Sequence, residues 1–319
     1  MKNKKTFSAF VLCTLLFIHF AFSMLVIAAE HETVVRTEEE LIIAISNQAA
    51  VIVIDELIPL SRTINIRHAV TLKGSGVITV ADEHRHFDIF YNGHLTLDGD
   101  ITLTRAAGYT GVGGGVHINL GVFTLYSGHI YNNHRRLHGG GISLFGGRAY
   151  IKGGTISHNQ AFQGGGVYIN VGYVILYSGT VSDNRANFGG GIYMGFNESD
   201  NRTLIMRGGL ITDNTADFVG GGIHCENGTV YLLNGAIQSN RAAGHGGVYL
   251  CIITQRYVST NMVINENTPV NRYDTNDTFN IPWYTRVHIF SWIHLLALLS
   301  VASVGIFLTK RNTTHKKHT

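Results

Sequence analysis

The sequence predicts an all-β solenoid, in which one short unit is repeated and stacked, and three observations favour this fold class. The first is a block of three glycines followed by alternating apolar residues, which recurs through the middle of the chain. The steps between successive copies are 26, 25, 25, 31 and 25 residues. A fixed period of this length indicates a supersecondary unit stacked on itself. The copies begin at Gly113, Gly139, Gly164, Gly189, Gly220 and, in a degraded form, His245.

The second observation is the short length of the apolar runs inside each repeat. In the copy that begins at Gly164, three runs follow the glycines, at about 167–169, 174–176 and 180–182. Runs of this length, separated by Gly, Asn or Ser, predict strands rather than helices. Side chains alternate between the two faces of a strand, so every second residue is expected in the interior. The first interior column holds Val116, Ile142, Val167, Ile192, Ile223 and Val248.

The third observation is a column of asparagines that follows the third run of each repeat. An asparagine tolerates left-handed backbone, and its amide can bond to turn backbone or to the asparagine one coil away. We therefore expect a structural ladder at the corner of the coils, and no ligand role for it. The ladder residues are Asn133, Asn159, Asn184, Asn214 and Asn240.

Three strands in about 25 residues, with aligned aliphatic columns, are typical of a parallel β-helix. The pattern resembles the right-handed, pectate-lyase-like β-helix superfamily over residues 37 to 270 or so. The Ile-x-x-Asn-x-Ala to Gly-Gly-Gly-Ile phrasing, at 181–192 and 211–223, is similar to repeats of bacterial surface proteins, including polymorphic outer-membrane-type proteins. This resemblance implies a right-handed coil displayed outside the cell. The superfamily also includes polysaccharide lyases and hydrolases.

The two ends of the solenoid need protection, because each would otherwise expose a strand edge. Thr37 followed by Glu40 forms a capping box, which predicts a capping helix at about 38–48. Strands are expected near 51–54, 63–66, 70–72 and 77–80, and a last coil at 261–267. We attribute the single step of 31 residues to a polar insert at 197–201.

The termini predict a membrane-anchored, extracellular protein. Residues 1–29 combine three lysines with an apolar stretch and are interpreted as a signal peptide, which could also remain uncleaved. The β-helix then occupies 30–267 and a polar tether 268–286. Residues 287–309 predict a transmembrane helix, and the basic tail at 310–319 places the C-terminus in the cytoplasm.

The candidate ligand surface is the column between the two interior columns of the first strand. It contains His117, Tyr168, Tyr193, His224 and Tyr249, with Ser143, and the alternation places it on the outside. Aromatic rings with polar tips suit contact with glycans or peptides. The simpler reading is that tyrosine has a high β propensity and covers an exposed sheet.

Catalytic chemistry finds little support in the sequence. Paired aspartates are absent, and Arg185, Arg207 and Arg241 have no acidic cluster beside them in sequence. His134 and His138 are four residues apart but fall in a turn, so we predict no metal site and no cofactor. A net charge of +3 is too small to indicate nucleic-acid binding.

The leading hypothesis is therefore a non-enzymatic, membrane-anchored surface protein that acts in adhesion or in binding glycans and other cell-surface molecules. The alternative is a cell-surface polysaccharide lyase or glycoside hydrolase. A third hypothesis is an inert structural spacer. An enzyme is expected to gather carboxylates with arginine or lysine in one groove, whereas an adhesin is expected to show flat polar and aromatic sheets.

Overall fold

The chain folds as a parallel β-solenoid, as the repeats predict. The structure is a computed structural model that describes residues 32–195, 201–250 and 255–268, with backbone alone at 255–256. The predicted signal peptide, the polar insert apart from its last residue, the transmembrane helix and the basic tail lie outside the described residues, and so does all of the tether except its first residue. Within the described ranges, no helix is long and apolar enough to cross a bilayer.

One helix, Glu38–Ser46, lies near the start of the described chain, where the capping box predicts it. The side chain of Thr37 accepts a hydrogen bond from the backbone N–H of Glu40 at 3.2 Å. The Glu40 carboxylate accepts in return from the backbone N–H of Arg36 at 2.7 Å. This return bond falls one residue earlier than in a standard capping box, where it would reach the N-cap itself. Leu41, Ala44 and Ile45 form the buried side of the helix.

The first and largest sheet, sheet 1, combines the first two strands of every predicted repeat. Its first half consists of Ile64–Ile66, Phe87–Ile89, Val116–Ile118, Ile192–Met194, Ile223–Cys225 and Val248–Leu250. Its second half consists of Glu32–Val34, Val51–Val53, Ala69–Lys73, His94–Leu97, Val122–Leu125, Arg202–Met206, Thr229–Leu232 and Gln255–Val258. Two long strands, Ile142–Ile151 and Val167–Leu176, run through both halves. In those two coils the turn expected between the first and second strands is therefore replaced by continuous strand.

Two further sheets complete the coils. Sheet 2 carries the third strand of each repeat and consists of Leu57–Leu60, Val77–Val80, Thr102–Arg105, His129–Tyr131, Thr155–Ser157, Thr180–Ser182, Leu210–Thr212, Gly235–Gln238 and Met262–Asn265. Sheet 3 consists of Arg185–Phe188, Thr215–Val219 and Arg241–Ala242. Sheet 3 is absent from the predicted repeat, which contains three strands only.

Residues one repeat apart are direct partners in the sheets. Val167 pairs with Ile192, and Ile192 pairs with Ile223, so the first interior column is continuous from coil to coil. All three side chains are fully buried. Sheet 2 contributes an equivalent column of isoleucine and valine to the same interior, and sheet 3 contributes buried alanines. The interior is thus a stack of like side chains, which is the packing that the period predicts.

The glycine blocks allow the coils to approach each other closely. The first glycine of a block is left-handed, with φ of +65° at Gly164 and +61° at Gly189. The second has a different role: a Cβ on Gly165 would lie 2.5 Å from the backbone oxygen of Arg185 and 2.6 Å from that of Gly190. One glycine therefore turns the corner, and the next permits backbone to stack on backbone.

Candidate functional site

The asparagine column forms a continuous ladder of hydrogen bonds. The side-chain amide of Asn184 donates to Oδ1 of Asn214 at 2.9 Å and to the carbonyl of Ile156 at 2.8 Å. Its own Oδ1 accepts from the backbone and side-chain N–H groups of Asn159, at 2.9 and 3.0 Å. The left-handed backbone lies one residue earlier, at Asp183 for this coil, with φ of 56°. The ladder extends one coil further than expected, to Asn267.

The column of predicted ligand residues lies on the outer side of sheet 1, but its expected exposure is wrong. Tyr168, Tyr193 and His224 are 6%, 2% and 3% exposed. His117 and Tyr249 are half-buried. Residues just before the glycine blocks, or at the first position of the degraded block, fold over this column: His138 stacks on Tyr168 with ring centroids 4.2 Å apart, and corresponding contacts come from Phe188 and His245. A ligand at the surface therefore does not reach Tyr193 or His224 in this conformation.

Hydrogen bonds hold this covered column in place. The hydroxyl of Tyr193 donates to Oε1 of Glu226 at 2.6 Å and accepts from Nε2 of Gln163 at 2.9 Å. Tyr168 stacks on Tyr193 with ring centroids 5.6 Å apart. Burial lowers the pKa of His224 to about 4, so this ring is neutral near neutral pH. We interpret this part of the column as a second packed layer outside the main core.

A different part of sheet 1 presents aromatic and basic side chains to solvent. On four neighbouring coils, the outward positions of the second half include four tyrosines, two isoleucines and three basic residues. We call this surface the aromatic–basic face; it comprises Arg148, Tyr150, Lys152, Tyr173, Ile175, Tyr177, Ile205, Arg207 and Tyr231. Tyr126 and Tyr257 extend it at its two ends.

Contacts within the aromatic–basic face combine rings with cations. Lys152 Nζ donates to the hydroxyl of Tyr126 at 2.8 Å and lies 4.5 Å from the centre of that ring. The rings of Tyr231 and Tyr257 stack with centroids 4.6 Å apart. Arg148, Lys152 and Arg207 make no ion pair with a carboxylate in the described ranges. The face is therefore flat, aromatic and positively charged.

A second feature is a cleft of about 430 Å³ beside the first half of sheet 1. Its walls come from four parts of the chain: the segment before Phe87, the segment before Val116, sheet 1 itself, and the connection that follows strand His129–Tyr131. The lining residues are Glu83, Arg85, Val112, His117, Arg135, Arg136, Leu137, His138 and Phe145. His117 is the one residue of the predicted ligand column that opens into this cleft.

The cleft concentrates positive charge that nearby carboxyl groups only partly balance. Arg136 pairs with Glu83 at 2.7 Å, whereas Arg85 and Arg135 have no ion pair among the described residues. Burial, followed by the charge of Arg135, lowers the pKa of Arg85 to about 9. Asp88 is not part of the cleft lining; burial raises the pKa of its carboxyl group, while the charges of Arg85 and Arg135 lower it.

His117 links the cleft to the sheet beneath it. Its Nδ1 lies 2.8 Å from Oγ of Ser143 on the next coil, and Asp88 occupies the same column on the preceding coil. Burial, followed by the charges of Arg85 and Arg135, lowers the pKa of His117 to about 4. A neutral imidazole held by a hydroxyl can donate or accept a hydrogen bond at its other nitrogen. Ser143 is fully buried, so it is not placed as a nucleophile for a ligand.

This cluster is not apparent from the sequence, because its members are far apart in the chain. Glu83 and Arg136 are separated by 53 residues, or two coils. One signal in the sequence could have indicated it. Residues 87–89 have the same apolar–polar–apolar pattern as the later repeats, and in the structure they pair with 116–118. In the residues that the structure describes, no group of His, Cys, Asp or Glu side chains is arranged to hold a metal ion.

Comparison with known proteins finds no matching family model, no matching curated protein and no matching solved structure.

Proposed function

We propose that this chain is a membrane-anchored surface protein whose solenoid binds acidic glycans through the aromatic–basic face. The observation that carries the proposal is the composition of that face: four tyrosines and three basic residues, with no carboxylate among its positions. Tyrosine rings provide flat surfaces on which sugar rings can stack, and lysine and arginine bind carboxylate or sulfate groups. Together, the two kinds of side chain match a saccharide chain that carries negative charge.

The dimensions of the face support a chain-like ligand. Neighbouring coils lie about 4.8 Å apart, so the five coils from that of Tyr126 to that of Tyr231 extend over about 19 Å. Lys152 and Arg207 lie two coils apart at the same corner, about 10 Å from each other along the stack. A saccharide chain that runs along the stack would present successive rings to successive coils, with its charged groups towards this corner.

The location at the cell surface rests on the termini. Residues 1–29 are proposed as the signal peptide and 287–309 as the membrane anchor, with 310–319 in the cytoplasm. The similarity of the repeats to those of bacterial surface proteins, and to the right-handed, pectate-lyase-like superfamily, supports the same placement. The solenoid would then hold the aromatic–basic face outside the cell, where adhesion to glycans takes place.

A glycan array tests this proposal. The full chain, purified in detergent, is applied to neutral and acidic glycans, and the double variant Lys152→Gln/Arg207→Gln is compared with it. We expect the wild type to bind acidic glycans and the double variant to lose most of that binding. Arg185→Gln is the control, because Arg185 is exposed on sheet 3, away from the face. Equal binding of neutral and acidic glycans would reject the proposal.

The second candidate function is that of a polysaccharide lyase or glycoside hydrolase, and the cleft favours it. The cleft brings arginines close to the carboxyl groups of Glu83 and Asp88. A groove that combines carboxylates with arginine is expected of an enzyme and not of an adhesin. Incubation with polysaccharides, followed by assays for reducing ends and unsaturated products, tests it. Product release that disappears in Asp88→Asn would place the enzyme first. If no product is released and no glycan binds, the remaining hypothesis is an inert structural spacer.

A further inference from the structure

We propose that the cleft between Arg85, Arg135 and His117 is a binding site for one monoanionic group, a carboxylate or a sulfate, carried on a ring. This site lies beside the first half of sheet 1, whereas the aromatic–basic face lies on the second half. The inference does not depend on glycan binding by that face, because the two sites share no residue.

The charges of the cleft define the charge of the ligand. Three arginines, Arg85, Arg135 and Arg136, face two carboxyl groups, those of Glu83 and Asp88. Arg136 and Glu83 form an ion pair at 2.7 Å and balance each other's charge. Asp88 faces both remaining arginines, which leaves one positive charge unmatched even when Asp88 is ionised. The histidines in the lining add no charge near neutral pH, because burial lowers the pKa of both His117 and His138.

The hydrogen-bonding groups of Arg85 are also incompletely used. Nη2 reaches the carbonyl of His138 at 3.4 Å, a long contact, and Nη1 is screened from water without a partner in the described chain. Buried guanidinium N–H groups are normally bonded, so an acceptor that enters here is favoured. The side chains of Arg136 and Leu137, which line the same cleft as Arg85, are exposed.

The remaining wall of the cleft suits a ring. His117 and Phe145 lie with ring centroids 5.3 Å apart, and His138 lies 6.3 Å from Phe145. These three side chains form an aromatic surface next to the arginines. The bond between His117 and Ser143 fixes the imidazole, and its Nε2 has no hydrogen-bond partner among the described residues. A ligand ring can therefore pack against this wall while its anionic group meets the guanidinium groups.

Calorimetric titration of the full chain tests this site with three probes: glucuronate, glucose 6-sulfate and glucose. We expect at least one of the two anions to bind and glucose not to bind, and the anion that binds identifies the preferred group. Arg85→Gln and Arg135→Gln should each weaken binding about tenfold or more, since each removes a charged donor. Arg85→Lys, which keeps the charge but loses the planar fork, should fall between wild type and Arg85→Gln.

Two controls make the result decisive. Arg185→Gln changes an exposed arginine on sheet 3 that belongs to neither the cleft nor the aromatic–basic face, and it should bind the small anions as the wild type does. Circular dichroism establishes whether each variant is folded. If Arg85→Gln does not fold, Arg135→Gln provides the test of the site. Three results would overturn the site. The first is equal affinity for glucose and the anions, and the second is that neither anion binds. The third is wild-type affinity in a folded Arg135→Gln variant. A loss seen in Lys152→Gln/Arg207→Gln but in neither Arg85→Gln nor Arg135→Gln would transfer the anion site to the aromatic–basic face.

Discussion

The hydroxyl of Tyr193 donates a 2.6 Å hydrogen bond to Oε1 of Glu226, in a layer that covers the outer side of sheet 1. Tyr193 is 2% exposed and the Glu226 side chain is 32% exposed, so the donor is buried while the acceptor is in partial contact with water. We expect Tyr193→Phe to lower the free energy of unfolding by about 2 kcal/mol, because a charged acceptor loses its donor. Urea denaturation measures the change.

The matched control for this prediction is Tyr173→Phe, which removes a hydroxyl from an exposed tyrosine on the same sheet. Its effect should stay within about 0.5 kcal/mol. If both substitutions have equally small effects, the covered layer does not contribute to stability through this bond.

The asparagine ladder should make a larger contribution at each position. In Asn184→Ala, four hydrogen bonds are lost, and the buried backbone N–H and one side-chain N–H of Asn159 lose their acceptor. We expect a loss of about 3 kcal/mol in the free energy of unfolding. Asn187→Ala is the control, because the Asn187 side chain makes no hydrogen bond in the described structure. Similar unfolding midpoints for the two variants would show that the ladder is not a source of stability.

Acid should destabilise the fold through buried histidines. His86 is fully buried and its Nδ1 has no hydrogen-bond partner in the described chain. Burial lowers its pKa from 6.5 to about 4. Above pH 6.5 both folded and unfolded states hold the neutral ring, so stability is complete. As the pH falls from 6.5 towards 4, only the unfolded state takes up a proton, and the free energy of unfolding decreases.

The contribution of His86 alone should reach about 2 kcal/mol at pH 5. Urea denaturation of the wild type and of His86→Leu at several pH values measures it. The variant should be less stable near neutral pH, because it loses hydrogen bonds to the carbonyls of Ile78 and Thr104, but it should show a shallower decline in acid. Parallel declines for the two proteins would mean that His86 does not titrate between these limits.

Close stacking of the coils predicts that two glycine substitutions will differ. In Gly165→Ala the new Cβ would meet two backbone oxygens, those of Arg185 and Gly190, and neither can move without shifting a coil. We expect a loss of about 3 kcal/mol. At Gly108 a Cβ meets nothing within 4 Å, and only its φ of +75° opposes alanine, so about 1 kcal/mol is expected. A reversal of this order, seen in thermal unfolding, would contradict the stacking.

The sequence was sufficient to predict those features that repeat. The columns that contain Ile192 and Asn184 recur in every coil at a fixed step, so the interior, the ladder and the parallel pairing follow from alignment of the chain with itself. The helix at Glu38–Ser46 has local capping signals and could be predicted on its own. Leu57–Leu60 was missed, because its central proline is atypical of strands.

The site was harder to predict, for two physical reasons. Alternation tells which face of a strand carries Tyr193, but not whether another segment covers that face, and here sheet 3 and the residues before the glycines do so. The cleft depends on contacts such as that between Arg135 and the backbone of Glu83, which join separate coils and occur once. Features that occur once in a repeat protein leave no periodic signal.

Binding of an acidic polysaccharide before and after reduction of its carboxyl groups to alcohols tests the central claim most directly. The reduction removes the charge and keeps the rings, so the comparison isolates the role of Lys152 and Arg207. Affinity electrophoresis of the full chain should show retardation by the acidic polymer, little by the reduced polymer, and about a tenfold weaker effect for Lys152→Gln/Arg207→Gln. Equal retardation by both polymers, or no change in the double variant, would contradict glycan binding by the aromatic–basic face.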